Sequence, residues 1–153
     1  EETDKSVYPV GQALLPDSET EGTDKSVYPT KITETLNACF KNRKIQSLFT
    51  EPETPTTVWN ERAFSYVEDD QFYNGIFDRV VLHHDSAGAT IRAEIIDYKT
   101  DRIHEGNTVE QASERHRPQL EAYRKALSKI IGLEETSITL KLLFTDLPTI
   151  IEL

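Results

Sequence analysis

The sequence predicts an α/β domain in which helices flank a mixed sheet, an antiparallel meander extended by a helix-strand unit. Three observations carry that prediction. Three runs rich in aromatic and β-branched residues follow one another across short polar turns between residues 58 and 100. One stretch of helical period precedes them and a second follows Gly106. A further alternating run at 137–145 comes directly after that second helix. With 153 residues, 37% of them hydrophobic, the chain suits one domain with one core.

Residues 1–30 read as an acidic linker or tail, open to disorder, ahead of a domain spanning 31–153. The segment carries a net charge of −5, holds Pro9, Pro16 and Pro29, and has too few apolar residues to offset its ordering entropy. Its heptapeptide Thr3 to Pro9 recurs at Thr23 to Pro29, and two copies do not make a solenoid. Ile32, Leu36, Phe40, Ile45, Leu48 and Phe49, with Cys39, then predict one core-packed helix over 31–50, closed by Pro52 and Pro55. Strands are expected at 58–67, 72–84 and 90–100, separated by turns at Asp69-Asp70 and Asp85 to Gly88. Asn107 and Thr108 are good caps, with Glu110 and Gln111 downstream. Pro118 is expected in the first turn of a helix over 118–131. Its stripe is Leu120, Tyr123, Leu127, Ile130 and Ile131, and Gly132 stands where a left-handed stop belongs. A strand at 137–145 and a short extended piece at 149–153 complete the chain.

Composition excludes several classes. A single cysteine, Cys39, rules out a disulfide framework, a four-cysteine zinc site and a cysteine-held iron–sulfur cluster, and points to a reducing, cytoplasmic compartment. No window approaches the ~20 apolar residues of a membrane span, and no basic-then-apolar leader is visible. The chain has no methionine, which suggests a piece of a larger polypeptide. Its net charge of −10 is unevenly spread. Lys41, Arg43 and Lys44, with Arg115, Arg117, Arg124, Lys125 and Lys129, are a candidate basic track for nucleic acid.

Candidate chemistry lies on the second and third strands. Asp97 and Lys99 are two apart and share a face, and Asp78 shares its own with Ile76, Val80 and Leu82. A two-residue turn at Ala87-Gly88 would set Asp78 directly opposite Asp97, with Cβ atoms roughly 5 Å apart. A slip of two residues leaves the acids diagonal, and a slip of one separates them. Close carboxylates repel unless a cation lies between them, and a hard divalent ion with oxygen ligands, Mg²⁺ above all, is the natural occupant. Such an ion polarises a phosphoryl oxygen while Lys99 orients water or stabilises developing negative charge. The plainer alternative is that Asp78 pairs with Arg79 or Lys99 and Asp97 merely ends a strand.

The motifs Gly75-Ile76-Phe77-Asp78-Arg79-Val80, Ile95-Ile96-Asp97-Tyr98-Lys99-Thr100-Asp101 and Gln119-Leu120-Glu121-Ala122-Tyr123 form a specific series. Over roughly residues 58–145 it resembles the PD-(D/E)xK nucleases, in particular the RecB-like nuclease domain of bacterial helicase-nucleases of the RecB and AddA type. The resemblance implies a restriction-endonuclease-like fold and an exonuclease-type deoxyribonuclease that uses Mg²⁺ or Mn²⁺. It implies Asp78 and Asp97 as metal ligands with the backbone carbonyl of Tyr98, Lys99 as catalytic lysine, and Gln119 and Tyr123 as supports that contact DNA. Glu61 falls where relatives often carry an acid ahead of an aromatic pair. The implied partners are DNA and a helicase domain or partner subunit, in DNA repair, with no membrane. Relatives also carry a metal-binding histidine upstream, whereas His83, His84, His104 and His116 all follow Asp78. That helix is then missing, or Glu34 replaces its histidine, or the site is impaired and the domain is an inactive nuclease fold that binds DNA or a partner. His83 and His84 lie five or more residues from Asp78, too far along a strand at ~3.3 Å per residue for one metal shell, and are expected at the surface.

Overall fold

A computed structural model of the chain describes residues 27–50, 52 and 54–153, with side chains from residue 31 onward. Helices α1 (Val27–Lys41) and α2 (Arg43–Phe49) precede strands β1 (Thr56–Glu68), β2 (Gln71–His84) and β3 (Thr90–Lys99). Helix α3 (Val109–Ile131), a single 3-10 turn, and strands β4 (Ile138–Phe144) and β5 (Thr149–Glu152) follow. The sheet runs in the order β1-β2-β3-β4-β5. All neighbours are antiparallel except β3 and β4, which α3 joins as a parallel pair. This is the expected α/β fold with a mixed sheet and flanking helices. No helix among the described residues is long and apolar enough to cross a membrane.

Local chemistry sets most of these boundaries. Asp69 and Asp70 have φ of 48° and 59°, the paired left-handed residues of a two-residue hairpin turn. Thr108 and Gln111 form a reciprocal capping box on α3, and Gly132, at φ 69°, donates its N–H to Ser128 to end it. Three boundaries differ from expectation. Pro118 lies inside the 23-residue α3 instead of in a first turn. The missing N–H forgoes only the bond to the Glu114 carbonyl, while Ala112, Leu120 and Leu127 bury one continuous stripe. The single helix over 31–50 is two helices, because the Asn42 side chain accepts from the Lys44 N–H and its amide donates to the Pro148 carbonyl, making it a cap. The expected tail at 1–30 lies outside the described residues except for its last four, which open α1.

The β2–β3 turn is longer than two residues, yet the predicted register survives. The Asp85 carboxylate accepts the N–H groups of Ala87 and Ala89, each at 2.9 Å, and this tightens a five-residue loop. A one-residue shift between His83 and His84 compensates, so that Arg79 faces Ile96 and Val80 faces Ile95.

Helix α3 covers one face of the sheet, where Phe77, Val80, Leu82, Ile95, Leu120, Leu127, Leu140 and Phe144 form the main core. A smaller cluster of Cys39, Ile45, Val81, Ile96 and Leu143 lies beneath α1 and α2. The apolar stripe expected to pack α1 on the core does not do so: Ile32, Leu36 and Phe40 are 58%, 48% and 50% exposed. Among the described side chains of that helix only Cys39 is buried. Ile130 likewise turns outward from α3.

His83 is a further correction. It is buried, not superficial, with Nε2 3.1 Å from Glu94 and Nδ1 3.1 Å from Arg92, and Glu94 also bonds Lys141. His84 is half-buried and bonds Thr57 at 2.8 Å. Burial alone would push the Glu94 carboxyl up, but Lys141 and His83 hold it below the carboxylate range. Burial, reinforced by Arg92, holds the His83 imidazole below its ordinary 6.5 despite Glu94. The unfolded chain therefore takes up the proton first, and stability present above pH 6.5 is lost as pH falls from there toward the lowered value. Urea midpoints at pH 7.5 and 5.5 check this: the drop is expected to be smaller in His83→Gln, and an equal drop would place the sensitivity elsewhere.

Candidate active site

The side-chain alternation of both long strands breaks at one cross-strand position. On β1, Trp59 packs on the main core, and so do Phe64 and Tyr66, an odd residue followed by even ones. On β2, Phe77 is buried there with Val80 and Leu82, while Ile76 is 54% exposed. Asp78 therefore shares its face with Val80 and Leu82 but not with Ile76. The strands pair with constant register, Asn60 with Arg79 and Arg62 with Phe77, so the break falls on Glu61 and Asp78. Glu61 has φ 48°, a left-handed backbone in mid-strand that a glutamate adopts only under constraint.

The distortion frees Asp78 from regular pairing. Its Oδ2 accepts the Tyr98 N–H at 2.8 Å, one residue beyond the last regular β2–β3 pair, Arg79 with Ile96. The second acid, Asp97, is 3% exposed and the negative charge of Asp78 acts on it. Lys99 Nζ lies 2.6 Å from Asp97 Oδ2 and donates to Gln119 Oε1 at 2.9 Å. Gln119 in turn donates to the Tyr123 hydroxyl at 3.0 Å. The five residues singled out in the sequence, Asp78, Asp97, Lys99, Gln119 and Tyr123, thus converge, with the Tyr98 main chain between the acids. The ammonium is ion-paired with a carboxylate and donates to an amide oxygen, which fixes the Gln119 side chain.

Aromatic packing supports this chain of bonds. Phe64 stacks on Phe77 at 4.4 Å between centroids, and Tyr123 meets their edges at 5.6 and 5.4 Å. Gly75 leaves room for that arrangement, since a Cβ there would stand 2.7 Å from the Phe64 ring and 3.3 Å from Tyr123. Gly75→Ala is expected to displace both rings and to cost about 1–3 kcal/mol in a urea melt. An unchanged midpoint would mean that the rings move freely.

Other candidates fall differently. Glu34 is exposed on α1 and forms no hydrogen bond or ion pair among the described residues. Glu61 is likewise exposed. His116, one turn before Gln119, has Nε2 3.0 Å from Asp101, and its charge lowers the Asp97 carboxyl slightly. Its spacing of three from Gln119 was the available signal for that proximity. Nothing in the sequence marks Glu61 as the distorted residue. Of the expected basic track, the α3 part is neutralised: Arg115 pairs with Asp101, Arg117 with Glu114, Arg124 with Glu121, and Lys125 and Lys129 with Glu68. Lys41, Arg43 and Lys44 form no ion pair among the described residues.

The acids suit a hard divalent cation. Burial pushes the Asp97 carboxyl up, against the nearby Lys99 ammonium, so its ionised form is undercompensated. Its Oδ2 is buried and, although in ion-pair contact with Lys99, has no donor in hydrogen-bond geometry. A carboxylate in that state, beside a second carboxylate, supplies oxygen ligands and gains from a cation. Among the described residues no three His, Cys, Asp or Glu side chains cluster, so carbonyl and solvent oxygens would complete any shell.

The sequence profile of the PD-(D/E)XK nuclease superfamily matches residues 11–150. A search of curated proteins found no match. The profile spans nearly the whole chain, and the acid on β2, the Asp-x-Lys on β3 and the Gln-x-x-x-Tyr on α3 meet at one point of the sheet. On both grounds, the chain belongs to the PD-(D/E)XK nuclease superfamily.

Proposed function

We propose that this domain is a metal-dependent deoxyribonuclease. The observation that carries the reading is the bonded series from Asp97 through Lys99 and Gln119 to Tyr123, set beside Asp78. Asp78, Asp97 and the Tyr98 carbonyl would hold Mg²⁺ or Mn²⁺, which when bound polarises a phosphoryl oxygen. Lys99, held by Gln119, presents its ammonium to the attacking water or to the charge that develops on phosphate. Tyr123 fixes Gln119 and, from the same side, reaches a DNA strand laid over the acids. The motif series further supports a RecB-like domain of an ATP-dependent helicase-nuclease in DNA repair. In that assembly a helicase partner grips the DNA, consistent with the acidic net charge of this domain.

Labelled linear single- and double-stranded DNA incubated with the purified chain in Mg²⁺ or Mn²⁺ tests the reading. Cleavage by the native chain, slowed by about 10²-fold or more in Lys99→Ala, is the expected result. A second reading, a nuclease fold that binds DNA or a partner subunit without turnover, draws on the absence of a third acidic or histidine ligand among the described residues. It predicts DNA binding with no cleavage at any metal concentration.

A further inference from the structure

Three aromatic rings lie exposed on the face of the sheet opposite α3. Phe40, Phe49 and Tyr98 are 50%, 41% and 36% exposed. Their centroids follow one another at 6.1 Å and 6.4 Å, Phe40 to Phe49 and Phe49 to Tyr98. The Arg79 guanidinium sits over Phe49 at 5.2 Å, itself anchored by the Asn60 side chain at 2.9 Å and the Leu48 carbonyl at 3.2 Å. Exposing three large rings costs hydrophobic free energy that a core position would recover.

Two features identify what fits there. The first is charge: residues 40–50 carry Lys41, Arg43 and Lys44 and no acid, in a chain of net charge −10. With the α3 cations engaged by acids, Lys41, Arg43 and Lys44 are left beside the rings to meet a phosphate backbone. The second is continuity with the acids. Tyr98 stands between Asp97 and Lys99 and gives its N–H to Asp78, while Arg79 directly follows Asp78. Strand alternation sends the Tyr98 and Arg79 side chains to the opposite face from Lys99. The ledge thus backs onto the acids across the end of β3, and a strand with its phosphate at the acids reaches it by turning over that end of the sheet.

We propose that Tyr98, Phe49 and Phe40, flanked by Arg79, form a stacking ledge for unpaired bases of a single DNA strand entering the acid pair. The proposal rests on the nuclease reading and adds the form of its substrate. Flat exposed rings with adjacent cations bind single strands through base faces, which pairing and stacking hide within a duplex. Arg79 pre-orders Phe49, so little side-chain entropy is lost on binding.

The test measures binding of an oligothymidylate carrying one 2-aminopurine to the full chain in a Lys99→Gln background with Mg²⁺. Binding is expected to quench the 2-aminopurine. Phe49→Leu, which keeps apolar volume without a π face, is expected to weaken affinity at least about fivefold, and Phe49→Tyr to restore it. A blunt duplex and an abasic oligomer are both expected to bind the parent more weakly. Equal affinity in Phe49→Leu, or equal binding of the abasic oligomer, overturns the ledge, and with cleavage by the native chain intact the nuclease reading stands. Self-association of the native chain that Phe49→Leu abolishes would assign the rings to a second copy and also overturn it. Absence of both DNA binding and cleavage would remove the ledge and the nuclease reading together.

Discussion

Lys99→Ala is expected to lower the rate of DNA cleavage about 10²–10³-fold while leaving the rise in melting temperature on adding Mg²⁺ intact. The ammonium is the one group that touches both an acid and the α3 amide, at 2.6 and 2.9 Å. Removing a single preorganised charge-stabilising donor of this kind carries a loss of that size. Asp97→Asn, which keeps the side-chain volume, is expected to lose both the cleavage and the metal-induced rise, because ligand stabilisation follows the affinity of the folded state alone. The split between the two variants separates binding from turnover. A Lys99→Ala protein that cleaves at the native rate would refute the assigned role, as would an Asp97→Asn protein that Mg²⁺ still stabilises.

The largest expected effect on stability is Phe77→Ala, about 3–5 kcal/mol. Phe77 is fully buried, stacked by Phe64 and met edge-on by Tyr123, with Asp78 next in the chain. Truncation removes the ring against which both neighbours pack, and the rigid sheet closes little of the space. Since domains of this size are stable by roughly 5–15 kcal/mol, a large share of the total is at stake. The urea midpoint is expected to fall with the slope unchanged. A loss under about 1 kcal/mol would mean that the aromatic cluster repacks around the gap.

The turn at Asp69-Asp70, the Thr108–Gln111 box and the Gly132 stop were all legible because each depends on a few neighbouring residues. The candidate site was legible for the same reason. Asp-x-Lys on a strand and Gln-x-x-x-Tyr on a helix each fix a shared face through local periodicity. The β2–β3 register came out right although the turn did not, because the Asp85 loop and the shift at His83/His84 compensate each other. What was not legible depends on distant partners. The break of alternation at Glu61 and Asp78, the burial of His83 by Glu94, and the pairing of α3 cations with Glu68 join residues far apart in the chain. So does the exposure of α1, whose apolar spacing is that of a buried helix.

By itself, then, the sequence determined the kinds and order of the elements, and which acids, lysine and amide stand on which strand or helix, since these follow from backbone propensity and side-chain period. Only the tertiary structure decided that Lys99 bridges Asp97 to Gln119, that Asp78 bonds the Tyr98 amide, and that three aromatic rings remain in solvent. Those outcomes depend on how sheet twist, a strained residue and helix packing position side chains tens of residues apart, and no local pattern encodes that distance.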